Sequence, residues 1–379
     1  MSVPTRRAAA NDGDGARARL RAALRHPGFA SGSLEIDGCR IHHRVSAATL
    51  EDGPTYVLVH GLIVSGRYMM PLALCLAGHG RVLVPDLPGF GGSEKPQPPP
   101  QVPELARRLA GYLGAVGARP VVLVANSFGC QVVAAMAAER PEVFAGPAAD
   151  CLDRTRPALA IEPAPTTGPN VSAETRPSAV RHVFAETSPV IAPHGSAEMP
   201  PVVAPSVAGE ALPAAGSRAS AESSGPAGLV ARVVLVGPTV DPAARSALRQ
   251  IGRLILSAPH EPFEYPALLA ADLLRVGLLR GARAFRAALA DRVEESLPRV
   301  PVPTLVVRGS RDPITPHRWA EQAARLLPRG RLVEIPDGGH ALNYGAADAL
   351  ARIVRAFAAE SDPAEPSDSR EAPIRQNLG

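Results

Sequence analysis

Paired cysteines are missing from this chain. Cys39, Cys75, Cys130 and Cys151 form no CxxC pair and no cluster at metal-ligand spacing. That speaks against a disulfide framework and against a zinc site. Aromatic residues make up only 4%, while Ala, Arg, Gly and Pro abound. This is the vocabulary of a GC-rich genome, so the arginine count carries little functional weight. A strong charge bias is also lacking. The net charge is +4 over 379 residues, with arginines and acids interspersed and no long basic block. Charge therefore supports neither a nucleic-acid partner nor a membrane surface. No apolar run approaches the length of a membrane span. Arg6-Arg7 and Ala8-Ala9-Ala10 are followed at once by acidic and polar residues, so no signal peptide is expected. The expectation is a soluble, cytoplasmic protein; oligomeric state is not legible.

What is present is enough apolar material, 46% of the residues, for a sizeable core. Ser33–Asp37 and Cys39–Val45 flank Gly38 and read as an opening hairpin. Tyr56–Val59 is a continuous apolar run of the kind that fills strands buried on both faces of a parallel sheet. Arg81–Pro85, Pro120–Ala125, Val230–Val236, Pro303–Arg308 and Arg331–Ile335 read the same way. Helical stripes lie between them: Leu105, Leu109, Tyr112 and Leu113; Trp319, Ala323 and Leu326; Leu350, Val354 and Phe357. Alternating strands and helices predict an α/β fold, a mostly parallel sheet covered on both faces.

Two stretches interrupt the alternation. Residues 145–228 hold thirteen prolines, and Phe184 is their single aromatic. Such a segment buries too little apolar surface to offset its ordering entropy and reads as a disordered surface insertion, with His182 and His194 solvated. A partner-binding arm and a shifted reading frame stay open as alternatives. Residues 242–300 are helical, with apolar pairs such as Leu268-Leu269 and Leu278-Leu279, and stand where a lid over a pocket would be inserted. The expected organisation is a leader (1–31), a core (32–144 and 229–358) carrying that lid, the insertion, and a tail (359–379).

The chemistry concentrates in Ala125-Asn126-Ser127-Phe128-Gly129, which follows the strand Val121–Val124 and precedes a helical pattern. A serine on a sharp strand-to-helix turn needs small residues two positions to either side, and Ala125 and Gly129 supply them. The alternative role for Ser127 is a helix N-cap. A serine hydroxyl is a weak nucleophile and needs a base oriented by a third group. His340, in Pro336-Asp337-Gly338-Gly339-His340 after the last strand, is the candidate base. Asp312, just after the strand ending at Arg308, is the candidate acid, and Asp241, after the strand ending at Val236, competes with it.

The order Ser127, Asp312, His340 resembles that of the α/β-hydrolase superfamily, in its serine carboxylesterase and carbon–carbon bond hydrolase branches. Tyr56–Gly61 resembles that family's strand ending in His-Gly. Asp86–Ser93 resembles its Asp-x-x-Gly-x-Gly-x-Ser turn, read here as structural, as is His60. The resemblance implies oxyanion donors at the Leu62 and Phe128 N–H groups. It also implies an acyl-enzyme on Ser127, a small carboxylic ester or acyl substrate, and no cofactor or metal. Branches that use an aspartate nucleophile do not fit a serine here. Carbon–carbon bond hydrolysis, acyl transfer, cofactor-free peroxidase chemistry and a non-catalytic binding protein of this fold remain open.

Overall fold

The computed structural model describes residues 28–46, 53–117, 120–144 and 228–360. These belong to one of the two units into which the chain divides; the other, Arg156–Ser223, lies outside the described residues, as does nearly all of the expected insertion.

Eight strands form one sheet in the order β1-β2-β4-β3-β5-β6-β7-β8. The opening hairpin is β1 (Phe29–Ile36) and β2 (Cys39–Ser46). It begins earlier than Ser33, so residues 29–31 belong to the sheet rather than to the leader. β1 and β2 pair antiparallel, as do β2 and β4. All later pairings are parallel: β3 (Thr55–Val59), β4 (Arg81–Pro85), β5 (Val121–Asn126), β6 (Val230–Val236), β7 (Thr304–Gly309) and β8 (Gly330–Ile335).

The unbroken Val/Leu runs follow from burial on both sides. In β5, Val121, Leu123 and Ala125 join one core cluster, and Val122 and Val124 the other. The first cluster packs against α2 (Val102–Val116), α3 (Phe128–Glu139) and α8 (His317–Leu326). The second packs against α1 (Met70–Leu76), α9 (Leu342–Gly345) and α10 (Ala347–Ala359). The segment expected as a lid lies between β6 and β7 as α4 (Ala247–Ser257), α5 (Tyr265–Val276), α6 (Leu278–Ala290) and α7 (Val293–Ser296). No helix among the described residues is long and apolar enough to cross a membrane.

Two consequences of this topology matter for function. The chain leaves β3 through α1 on one face and β5 through α3 on the other, so their adjoining carboxyl ends form a switch point, where open α/β sheets bind ligands. At the opposite edge, Phe144 bridges Val230 and the Gly228 N–H donates to the Glu142 carbonyl at 2.8 Å. The sheet therefore closes across the ends of 145–227.

Candidate active site

Ser127 occupies the turn between β5 and α3. Its backbone stands at φ 53°, ψ −116°, a region that disfavours a residue carrying Cβ. The surroundings enforce this. The Ser127 N–H donates to the Val236 carbonyl at 2.9 Å, and the Asn126 side-chain amide reaches the same oxygen at 3.3 Å. A Cβ on Gly129 would come within 2.8 Å of both the Val59 and the His60 carbonyl oxygens, so only glycine fits. A Cβ on Gly61 would lie 3.3 Å from Ser127 Cβ, which shows how closely the β3 turn meets the β5 turn. Gly129 is thus a steric requirement of a tight elbow.

His340 lies after β8 and Asp312 after β7. His340 Nδ1 and Asp312 Oδ2 are 2.8 Å apart, and both residues are buried. The other carboxylate oxygen of Asp312 accepts the Ile314 and Thr315 N–H groups at 2.8 and 3.0 Å. Acting as acceptor towards His340, Asp312 selects the tautomer with the proton on Nδ1 and leaves Nε2 with a lone pair. Burial pulls the His340 pKa down. The Asp312 charge and hydrogen bond, with Glu261 behind them, outweigh this and hold it above its ordinary value. Gly237 follows the residue that receives the Ser127 N–H, and a Cβ there would lie 3.0 Å from His340 Nδ1 and 3.4 Å from Asp312 Oδ2. Through Val236-Gly237 the serine and the histidine–aspartate pair share one sheet edge. Among the described residues the Ser127 hydroxyl makes no hydrogen bond. Such contacts often tighten only once substrate binds.

Among the described residues, the Leu62 and Phe128 N–H groups donate to no protein acceptor. Phe128 opens α3, where backbone donors lack intrahelical partners. Ile63, in the turn after His60-Gly61, is held at φ 70°.

Asp241, the competing acid, serves elsewhere. It is fully buried, accepts Arg253 at 2.8 Å and Arg318 at 3.2 Å, and accepts the Ala243 N–H at 3.0 Å. Burial raises its pKa, but the hydrogen bonds from Arg318 and Arg253 outweigh this and keep it low. It fastens lid helix α4 and α8 to the end of β6.

The turn read as structural is so. Asp86 accepts the Gly66 and Gly92 N–H groups at 2.6 and 2.8 Å and contacts His42 Nδ1 at 2.9 Å. Burial raises its pKa, but these donors and the neighbouring cationic charge overcome that and bring it down to about 2. Gly91 must be glycine, since a Cβ would fall 2.2 Å from Asp86 Oδ2. His60 is buried, contacts the Gly61 carbonyl through Nδ1 at 2.7 Å and accepts the Leu87 N–H at Nε2 at 2.9 Å. Burial lowers its pKa, and both ring nitrogens are occupied as a neutral imidazole requires.

Two lid carboxylates escape sequence reasoning because no motif marks them. Asp272 accepts Ser65 Oγ at 2.8 Å and pairs with Arg67, both on the segment leading from the His60-Gly61 turn into α1. Glu261 accepts the His340 N–H at 2.7 Å and the Ala341 N–H at 2.9 Å. Among the described residues no three His, Cys, Asp or Glu side chains converge as metal ligands.

The family model described as the alpha/beta hydrolase family matches residues 56–353, so the chain belongs to that family. It is 26% identical over 309 residues to a pimeloyl-(acyl-carrier protein) methyl ester esterase of Xanthomonas oryzae pv. oryzae, covering 81% of this chain and 96% of that protein. A haloalkane dehalogenase of Mesorhizobium japonicum is 34% identical over 94 residues, 25% of this chain and 30% of the dehalogenase. The chain spans less than a third of the length of the curated relatives it matches above 30% identity. Among solved structures, the enol-lactonase of Burkholderia xenovorans superposes with a TM-score of 0.54 at 18% identity, covering 87% of this chain and 100% of that one, a likeness of fold.

Proposed function

We propose that this chain is a serine hydrolase that cleaves a small carboxylic ester through an acyl-enzyme on Ser127. The observation that carries the reading is the 2.8 Å contact of Asp312 with His340 at the sheet edge where Ser127 is held at φ 53°. The methyl ester esterase that matches over nearly its whole length supports ester chemistry. The dehalogenase likeness covers a short stretch, and the nucleophile position here is serine, not a carboxylate.

Nε2 of His340 takes the Ser127 proton as Oγ attacks the ester carbonyl carbon. The Leu62 and Phe128 N–H groups receive the oxyanion; losing one such donor raises a barrier of this kind by about 2.7–4 kcal/mol. Asp312 stabilises the imidazolium, which protonates the departing alkoxide. The alcohol leaves and the acyl group remains on Oγ. Water then attacks, gives its proton to His340, and the acid departs as the proton returns to Oγ.

A fluorophosphonate probe and a p-nitrophenyl ester assay test the reading. Wild type is expected to be labelled at Ser127 and to hydrolyse the ester. Ser127→Ala is expected to lose both with an unchanged circular dichroism spectrum. An active Ser127→Ala variant would sink the assignment.

A further inference from the structure

The base loop contains two consecutive glycines, Gly338 and Gly339, immediately before His340. Glycine gives a chain the most backbone freedom to lose on ordering, so something outside the loop must fix it. Hydrogen bonds from the core to the loop backbone reach as far as Gly338: the Arg311 N–H donates to its carbonyl at 2.9 Å, and Ser310 Oγ receives the Asp337 N–H at 2.8 Å. The N–H groups of His340 and Ala341 turn instead to Glu261. Glu261 Oε1 accepts the His340 N–H and Oε2 the Ala341 N–H, so each oxygen of one carboxylate takes one of two successive amides. Ser257 Oγ, at the end of α4, donates to Oε1 at 2.5 Å and orients the carboxylate. Gly339 makes the approach possible, because a Cβ there would lie 2.8 Å from Glu261 Oε1 and 2.5 Å from the His260 carbonyl.

We propose that Glu261 is a positioning residue, a lid carboxylate that clamps the backbone of His340 so that seating the lid and aligning the base are one event. This rests on the reading of His340 as the general base. The chemistry suits a carboxylate specifically. Two adjacent N–H donors need two acceptors; a carboxamide offers one, and its NH2 group would face the second donor. Two charged groups act on the imidazole, Asp312 from the loop after β7 and Glu261 from the lid, both negative. The clamp thus also favours the protonated ring, and removing its charge moves the His340 titration to lower pH.

Glu261→Gln and Glu261→Ala test this, with p-nitrophenyl butyrate kinetics across pH, NMR titration of isotope-labelled histidine side chains, and thermal melts. For Glu261→Ala, kcat is expected to fall about 10- to 100-fold while KM stays within about threefold, as for a base displaced rather than a pocket reshaped. For Glu261→Gln a smaller loss is expected, together with a lower pH for both the acid limb of kcat/KM and the His340 midpoint. Folded variants with wild-type kcat and an unmoved His340 midpoint overturn the proposal, as does a rise confined to KM. Should Glu261→Ala fail to fold, the isosteric Glu261→Gln decides. Should wild type neither hydrolyse esters nor take the fluorophosphonate, the serine hydrolase reading fails, and the His340 titration in Glu261→Gln still decides on the clamp.

Discussion

Replacing Asp312 by asparagine keeps its shape and reverses one polarity, and the structure says which way the new carboxamide must face. One oxygen of Asp312 accepts two N–H groups, from Ile314 and Thr315, while the other faces a single donor, His340 Nδ1. Turning the NH2 group towards Ile314 and Thr315 would leave two buried donors without an acceptor, at about 1–3 kcal/mol each. The NH2 group therefore faces His340. Nδ1 becomes the acceptor, the ring proton moves to Nε2, and the base loses the lone pair that Ser127 needs. The same change in a serine protease triad lowers kcat about 10⁴-fold, equivalent to about 5 kcal/mol at 1.36 kcal/mol per tenfold. A loss of 10³- to 10⁴-fold in kcat is expected for Asp312→Asn, by the same tautomer argument. The assay is p-nitrophenyl ester turnover, with circular dichroism to verify the fold. Asp241→Asn is the matched control, since that carboxylate binds Arg253 and Arg318. It is expected to lower the melting temperature and to leave kcat within about tenfold, as it touches no reacting group. Near-normal turnover by Asp312→Asn, or a larger loss for Asp241→Asn, would refute the reasoning.

Other consequences follow from the same geometry. His340 must be neutral to accept a proton, and its pKa is held above the usual 6.5, so kcat/KM should fall on acidification through a midpoint above that value; a midpoint below it in a pH–rate profile would count against the Asp312 and Glu261 contribution. Ser127→Gly should abolish turnover yet raise the melting temperature relative to Ser127→Ala, because glycine tolerates φ 53° and strain of this kind amounts to about 1–3 kcal/mol. Replacing 145–227 by a short linker should preserve both fold and ester turnover, since the described residues at its two ends are hydrogen bonded to each other. Loss of soluble protein in that variant would show the segment to be required.

Much of this was legible in the sequence, for identifiable reasons. Strands buried on both faces leave unbroken Val/Leu runs, and an elbow that admits no Cβ at position 129 leaves a glycine there. Chain order separated Asp312 from Asp241 only by resemblance; the structure separates them by what each carboxylate binds. The lid was legible in period but not in phase. Leu248, Ile251 and Ile255 mark one apolar face of α4, which an amphipathic helix ordinarily turns inward. The structure instead exposes it, with Leu248 83% accessible, and buries Gln250 and Ser257. That polar face is satisfied where it lies: Gln250 donates to the Ala244 carbonyl, Arg253 to Asp241 and Ser257 to Glu261. These bonds are local, spanning 6, 12 and 4 residues, but no hydrophobic periodicity announces them. Glu261 escaped notice because the amides it accepts, those of His340 and Ala341, lie 79 and 80 residues away in the chain.

The closure of the sheet at Phe144 and Gly228 also makes that junction a port. It lies at the amino-terminal end of β6, whereas Ser127, Asp312 and His340 follow the carboxyl-terminal ends of β5, β7 and β8. Cargo grafted there, such as a fluorescent domain or an affinity handle, would join the chain at the sheet end opposite the edge that carries Ser127.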